Sequence, residues 1–204
     1  MKNAVVRLHA SGEPAGRQAL VQAALKLFAE RGFAGASIRD LAAEAGVSIG
    51  LVRTHFGSKD GLLEAVDAHA LAAVEELYDG VLTAPAPMTL HSVVDVAVAW
   101  VAGNRQVMLY VQTALSSGTP GSQALFDSLF SAMRRFVDAA AERRMLQEDV
   151  DRDMAALYLF YDFIGPALVA PYARGIFSRQ PFSAAAVARR NEFMNRLFSR
   201  GIFR

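Results

Sequence analysis

Cysteine is absent from the 204 residues of this chain, and so are long apolar runs. Without cysteine there is no disulfide framework, no thiolate metal site and no cysteine nucleophile. No apolar stretch reaches the ~18 residues that a membrane span needs. The N-terminal segment also lacks the continuous apolar run that marks a signal peptide. We therefore expect a soluble protein of the cytoplasm that has no membrane partner.

Neither sign of charge dominates, since the formal net charge is +1. The distribution is uneven, because residues 1–60 hold eight Lys and Arg against five Asp and Glu, and residues 61–204 hold thirteen against fifteen. This asymmetry permits a nucleic-acid-binding head on a neutral body. The four histidines are scattered, which predicts no metal site. No phosphate loop and no nucleophile beside a base is recognisable, so we expect no cofactor and no enzyme.

Apolar residues recur at three- and four-residue spacing almost throughout, which predicts an all-α fold. The predicted helices cover residues 16–31, 38–45, 49–56, 59–81, 90–102, 105–116, 123–145, 151–169 and 183–200. Serines 37, 48 and 58 occupy N-cap positions, where a side-chain oxygen accepts from the first free N–H groups. We divide the chain into a flexible tail (1–15), a three-helix head (16–62) and a larger helical body (63–204).

The most informative stretch is SIRDLAAEAGVSIGLVRTHFGSKDGLL, residues 37–63. Two short helices separated by the glycine-containing turn AGVS predict a helix-turn-helix. Val52 and Phe56 face inward at i, i+4 spacing. Ile49, Gly50, Arg53 and Thr54 are left on the outward face, which enters the major groove in such motifs.

Groups suited to DNA phosphates surround this outward face. The three capping serines open helices whose N-termini favour anions. Lys59 stands in the first turn of its helix, where a cation opposes the dipole, so we expect a phosphate to be its partner. His55 is placed to donate to a phosphate oxygen. The predicted contacts to double-stranded DNA are Ser37, Arg39, Ser48, Ile49, Gly50, Leu51, Arg53, Thr54, His55 and Lys59.

The segments ALKLFAERGFAGASIRDLAAEAGVS, THF and SKDGLL follow one another at fixed spacing over about fifty residues. Residues 17–70 thereby resemble the DNA-binding domain of the TetR family of transcriptional repressors. The resemblance implies a homodimer on a palindromic operator, with a helical body for ligand binding and dimerisation. It also implies repression that a small molecule relieves. Arg53 stands where the family usually has an aromatic residue, and Ile49 where it often has a polar one. We therefore expect the operator sequence to differ.

In the family the last two long helices pair with their copies, and here these are about 151–170 and 183–200. Each carries an apolar stripe, and two such faces on terminal helices call for a partner. The alternative is that both stripes pack on the chain's own core. The predicted interface consists of Leu157, Tyr158, Tyr161, Ile164, Leu168, Val187, Phe193, Met194, Leu197 and Phe198.

The ligand is unidentified, and the apolar bias of the body favours a largely apolar one. Aromatic and Met side chains suit such a ligand, and polar residues within apolar runs suit its polar groups. The alternative is that the aromatic and Met side chains belong to the hydrophobic core and that the polar residues are solvated or paired within the protein. The pair Arg189-Arg190 is expected on an exposed helix face. The predicted pocket consists of Trp100, Asn104, Met108, Tyr110, Gln112, Phe130, Met133, Arg134, Tyr161 and Asp162.

The leading hypothesis is a ligand-responsive, sequence-specific repressor. A second hypothesis is a constitutive, architectural DNA-binding protein whose body has no pocket. A third is a helical binding module or enzyme whose head resembles a DNA reader by accident.

Overall fold

The computed structural model describes residues 13–83, 96, 99–101, 103–169, 172 and 183–198. The described part is all-α, as predicted, and contains no β-strand. The predicted helix 90–102 lies largely outside the described residues. The helices are α1 (Glu13–Gly35), α2 (Ile38–Glu44), α3 (Ile49–Phe56), α4 (Lys59–Thr83), α5 (Arg105–Ser117), α6 (Ser122–Glu142), α7 (Arg152–Val169) and α8 (Ala184–Phe198).

The helix boundaries differ from the predictions by a few residues. Helix α1 is described from Glu13, three residues before the predicted start at Gly16. Its regular path breaks at Gly32, where φ is 71°, close to the predicted stop. Helix α6 ends at Glu142 and not at Met145, because Arg144 adopts a φ of 57° and cannot continue the helix.

Helices α1 to α3 and the start of α4 form the head. Leu27 and Phe28 of α1 are at most 2% exposed, and Leu41 of α2 and Val52 of α3 are equally buried. Leu62 of α4 closes this apolar centre. At about 25 cal/mol per Å² of apolar area, burial of these side chains is the main stabilisation of the short helices α2 and α3.

The body packs directly on the head through α5. This helix lies along α1, where the Thr113 hydroxyl donates to the Ala29 carbonyl at 3.1 Å. Helix α7 packs on α6, and α4 contacts both α1 and α6. One continuous hydrophobic core therefore extends from Leu20 in the head to Phe160 in α7.

None of the helices in the described ranges is long and apolar enough to span a membrane. In the same part of the chain, no group of His, Asp or Glu side chains is arranged to hold a metal ion.

Candidate functional site

Helix α2 starts at a capping box that fixes Ser37 and Asp40 to each other. The Asp40 N–H donates to Ser37 Oγ at 3.2 Å, and the Ser37 N–H donates to Asp40 Oδ2 at 3.0 Å. The Ser37 hydroxyl also donates to Asp40 Oδ2, at 2.5 Å. These hydrogen bonds lower the pKa of the Asp40 carboxyl. The Ser37 hydroxyl is therefore bound to a carboxylate, and its phosphate contact stays a prediction.

The turn between α2 and α3 has the conformation that the AGVS segment predicts. Gly46 has a φ of 67°, which a residue without Cβ adopts freely. The Val47 N–H donates to the Ala42 carbonyl at 3.0 Å, and the half-buried Val47 side chain packs against the core. The turn fixes the direction in which α3 leaves α2, and the pair has helix-turn-helix geometry.

One face of α3 is buried and the opposite face is open. Val52 is 1% exposed, whereas Ile49 is 49% exposed. Gly50, Arg53 and Thr54 are exposed with Ile49. The Thr54 hydroxyl donates to the Gly50 carbonyl at 3.1 Å. No hydrogen bond or ion pair joins the Arg53 guanidinium to another residue of the described ranges, so it is available to a partner.

Two residues of the predicted DNA-contact set face the protein. Leu51 is half-buried and packs against the core. His55 Nε2 is covered and has no hydrogen-bond partner among the residues described. A Cβ added at Gly16 would lie 3.8 Å from this Nε2 and 3.9 Å from Leu51 Cδ1. The start of α1 lies over the side of α3 that bears these residues, and their contacts to DNA stay predictions.

Lys59 has a partner within the protein, although its position against the helix dipole predicts no local structural benefit. Its Nζ donates to the Phe33 carbonyl at 2.5 Å and lies 4.2 Å from the centroid of the Phe33 ring. An ammonium group over an aromatic face is attracted by the ring quadrupole. Lys59 thus joins the start of α4 to the end of α1.

The serines at the starts of α3 and α4 differ. Ser48 is the N-cap of α3, but its side chain makes no capping hydrogen bond. The Ser58 hydroxyl oxygen accepts from the Gly61 N–H at 3.1 Å. Ser48 therefore keeps a free acceptor beside the exposed face of α3. Arg39 on α2 is exposed as well.

Arg17 on α1 is a candidate that sequence reasoning missed. It is exposed, and its Cζ lies 5.2 Å from the centroid of the Phe56 ring at the end of α3. No local motif marks this residue. Only the contact between α1 and α3 brings its cationic group beside the helix-turn-helix.

The start of α4 passes very close to the end of α3. A Cβ at Gly61 would overlap the carbonyl oxygen of Phe56. Because this obstacle is backbone, only glycine allows α3 and α4 to approach in this way.

Part of the predicted pocket is closely packed core. Tyr110 and Met133 are at most 1% exposed. The Tyr110 hydroxyl donates to Asp67 Oδ1 on α4 at 2.5 Å. Burial, the largest influence on both groups, raises the pKa of the Tyr110 hydroxyl and that of the Asp67 carboxyl. Tyr110 and Met133 therefore hold α5 and α6 in the core, and their place in a pocket stays a prediction.

Arg134 belongs to an ion network near the surface, which corrects its assignment. It pairs with Asp138 on its own helix, and its Nε lies 2.6 Å from Asp153 Oδ1. Arg152 Nη1 lies 3.0 Å from Asp138 Oδ1. These groups join α6 to the start of α7.

Three further predicted pocket residues lie apart from one another. The Phe130 ring stacks on Phe126 with centroids 5.9 Å apart. Tyr161 is 56% exposed on the surface of α7. Gln112 is half-buried on α5. The structure does not bring these residues into a common site.

Trp100 and Asn104 come together near the start of α5, and Asp162 is the chain neighbour of Phe163, which lies close to Trp100. The Asn104 side-chain amide donates to the Trp100 carbonyl at 3.0 Å. The Trp100 ring lies 6.5 Å from the ring of Phe163, which follows Asp162 on α7. Apolar residues complete this neighbourhood, namely Val101, Met108 and Val187.

The partner of Asp162 is Arg190 on α8, which sequence reasoning did not select. Arg190 Nε lies 3.3 Å from Asp162 Oδ1, and the two side chains are 14% and 26% exposed. Burial raises the pKa of Asp162 and lowers that of Arg190, and the charge of each partner opposes both shifts. The expectation of an exposed pair is correct for Arg189 and wrong for Arg190.

The predicted dimer faces are open in part. Tyr158, Tyr161 and Leu168 of α7 are 51%, 56% and 44% exposed, and Phe193 of α8 is 61% exposed. Met154, at 47%, extends the stripe on α7 toward its start. These residues give the two terminal helices an apolar surface.

Other members of the predicted interface face inward. Ile164 and Val187 are 4% and 1% exposed and pack within their own chain, which corrects their assignment. Leu157 and Met194 are half-buried. Two predicted side chains lie outside the described part, those of Leu197 and Phe198.

Comparison with known proteins adds independent information about the head. Residues 20–66 match the profile described as bacterial regulatory proteins, tetR family. An HTH-type transcriptional repressor of Mycobacterium tuberculosis is 55% identical over 60 residues, which are 28% of this chain and 32% of that protein. The chain thus matches only about a third of that relative's length.

Two further similarities extend over most of the chain. The HTH-type transcriptional regulator PksA of Bacillus subtilis is 29% identical over 163 residues, covering 76% of this chain and 78% of that protein. A solved structure from Saccharomonospora viridis, in complex with choline, superposes with a TM-score of 0.65 at 21% identity. It covers 94% of this chain and 99% of its own, and this likeness concerns the fold.

Proposed function

Because the chain belongs to the TetR family of bacterial regulatory proteins, we propose that it is a sequence-specific DNA-binding regulator that represses transcription. The observation that carries this proposal is the exposed face of α3. Ile49, Gly50, Arg53 and Thr54 stand there together, opposite the buried Val52. The mycobacterial relative, which is named a repressor, supports the sign of regulation.

Helix α3 reads base edges in the major groove. The Arg53 guanidinium donates to O6 and N7 of a guanine, and the Ile49 side chain contacts a thymine methyl group. The hydroxyl of Ser48 and the guanidinium groups of Arg39 and Arg17 contact phosphates, which fix register without reading sequence. This set replaces the predicted one at Ser37, Leu51, His55 and Lys59, whose side chains are occupied or covered.

The regulator acts as a homodimer. The exposed apolar residues Tyr158, Tyr161 and Phe193 on α7 and α8 provide a surface that a second copy covers. A two-fold dimer presents two α3 helices to half-sites about 34 Å apart, and its operator is therefore palindromic.

A small, largely apolar ligand releases the operator. Its site is the neighbourhood of Trp100, Asn104 and Asp162, which joins apolar walls to a few polar groups. The choline complex of the Saccharomonospora viridis protein supports ligand binding in this fold. The ligand binds one arrangement of the body more tightly than the other and thereby changes the spacing of the two heads. It shifts the equilibrium between the two arrangements by no more than the difference between its two binding free energies.

Selection of bound duplexes from random DNA, followed by sequencing, tests the DNA-binding part. We expect an enriched palindrome whose binding weakens steeply with salt. Arg53→Ala should cost about 1–3 kcal/mol at one symmetric position and relax its specificity. Arg189→Ala, which removes an exposed arginine from α8, is the matched control and should leave the selected sequence unchanged.

Other outcomes would contradict the proposal. Binding at low salt without any enriched sequence would favour an architectural DNA-binding protein. A loss of affinity in Arg53→Ala that is equal for all DNA sequences would indicate that Arg53 contacts a phosphate and not a base. An absence of binding in ligand-free protein would contradict the assignment of the head.

A further inference from the structure

The ion pair of Asp162 and Arg190 joins α7 to α8 in a largely enclosed position. The Arg190 side chain is only 14% exposed. Burying a guanidinium group is costly unless its N–H groups find acceptors. The Asp162 carboxylate, at 3.3 Å from Nε, is the one carboxylate paired with it in the described residues.

Two covered hydrogen-bond donors in this part of the molecule lack an acceptor among the described residues. Nη1 of Arg190 is covered and has no hydrogen-bond partner within the described ranges, whereas Nε faces Asp162 Oδ1 at 3.3 Å. The Trp100 indole Nε1, which can only donate, is covered and unpartnered in the same way. Buried polar groups in folded proteins are usually satisfied, so two such donors on segments that pack on one apolar cluster need an explanation.

Apolar side chains form the rest of this neighbourhood. The Trp100 and Phe163 rings lie 6.5 Å apart with their planes inclined by 34°. Val187, one turn before Arg190 on α8, belongs to the same apolar cluster. A molecule bound here would therefore meet donors at one end and hydrocarbon along its length.

We propose that this cluster binds the carboxylate end of an amphiphilic organic acid, with Arg190 and Trp100 donating to its oxygens and Phe163 and Val187 contacting its apolar part. The proposal rests on the ligand-responsive function proposed above and names the chemical class of the ligand. The remaining exposure of Arg190 and Asp162, 14% and 26%, leaves a path by which a small molecule reaches them.

A carboxylate fits better than an ammonium group or a neutral amide. An ammonium group brings further donors to a place that already lacks acceptors. An amide oxygen accepts from Arg190 but brings an NH₂ group with it. A carboxylate offers acceptor oxygens alone and a charge opposite to that of the guanidinium.

Trp100 is the only tryptophan in the chain and is a fluorescence reporter within the proposed site. Wild-type protein is titrated with octanoate and phenylacetate, and then with octanamide, phenylacetamide, octylamine and choline. We expect at least one acid to change the Trp100 emission and to bind at least about tenfold more tightly than its own amide. The proposal is wrong if both acids bind no better than their amides, or if an amine or choline binds best.

Variants test the residues. Arg190→Gln should weaken binding of the acid about tenfold or more, whereas Arg189→Gln, which changes the exposed neighbour, should not. Asp162→Asn removes the competing carboxylate and should leave acid binding equal or tighter. If Arg190→Gln fails to fold, Arg190→Lys retains the charge and should still prefer acid to amide. Unchanged acid affinity in a folded Arg190→Gln variant, or loss of the preference for acid over amide in Arg190→Lys, would overturn the proposal.

The failure of this proposal can be told from that of the proposed function. Anisotropy of the selected operator duplex is measured with each probe present. Operator binding by the free protein without any preference for acids refutes only the ligand class. Acid binding by a protein that selects no operator sequence supports the site and refutes the regulator.

Discussion

Gly61 provides a sharp test of how α3 and α4 are fixed to each other. It lies in the first turn of α4, and a Cβ at this position would overlap the Phe56 carbonyl oxygen at the end of α3. The obstacle is a backbone atom, so no rotamer change can relieve it. Gly61→Ala therefore forces the end of α3 away from α4 by roughly 1 Å, the distance that restores ordinary contact in a close-packed interior.

Two effects of this substitution oppose each other. Replacing glycine by alanine within a helix stabilises it by up to about 1 kcal/mol. Forcing an extra methyl group into a closely packed site costs about 1–3 kcal/mol, and a fixed carbonyl places the cost at the upper end. We expect the free energy of unfolding to fall by about 1–2 kcal/mol. Operator affinity should also fall, because the displaced α3 is the helix that reads the groove.

Gly80 on the same helix is the matched control. A Cβ there would have no neighbour within 4 Å, so Gly80→Ala gains the helix propensity without the overlap. Urea denaturation followed by circular dichroism should give opposite signs for the two variants, with Gly80→Ala up to about 1 kcal/mol more stable than wild type. If Gly61→Ala were stabilised as much as Gly80→Ala, the close approach of α3 and α4 would be refuted.

Three further predictions concern the head. Ser37→Ala should lower the free energy of unfolding by about 1 kcal/mol. Ser48→Ala breaks no capping hydrogen bond and should weaken only operator binding. Equal losses of stability for the two variants in urea denaturation would contradict this difference. The lowered pKa of Asp40 confers stability that is complete above its unfolded pKa of about 3.9 and is lost as the pH falls through the lower folded value. The Asp40→Asn variant should not show this loss of stability at acidic pH. If Tm falls with pH in the same way in the variant and in wild type, a contribution of Asp40 to acid stability would be excluded. Lys59→Met should lower stability by about 1–2 kcal/mol, because the bond to the Phe33 carbonyl is lost; a change in operator affinity alone would restore the phosphate interpretation.

The sequence predicts those parts of the fold that local chemistry determines. The serine at position 37 and the glycines at 32 and 46 mark real helix ends and turns, because caps and positive φ angles depend on neighbours in the chain. The buried and open faces of α3 follow from helical spacing in the same way. This is why Val52 and Ile49 lie as expected.

Contacts between distant segments are what the sequence does not predict. Lys59 meets a carbonyl 26 residues away, and Arg134 meets Asp153 across 19 residues. Helical spacing gives the angle at which a side chain leaves its helix, but not which helix arrives there. For this reason the covered Nε2 of His55 and the inward position of Arg190 emerge only from the assembled fold.

The continuous core has a consequence for chimaeric regulators. The Thr113 hydroxyl of α5 bonds to the Ala29 carbonyl of α1, and the Phe28 and Tyr110 rings lie 6.5 Å apart across the same boundary. A head grafted onto a foreign body would leave these groups without partners and would expose apolar area of α1. Operator choice and effector choice are thus not freely interchangeable modules in this chain. A successful graft should transfer α1 and α5 together, even though 69 residues separate Gly35 from Arg105 along the chain.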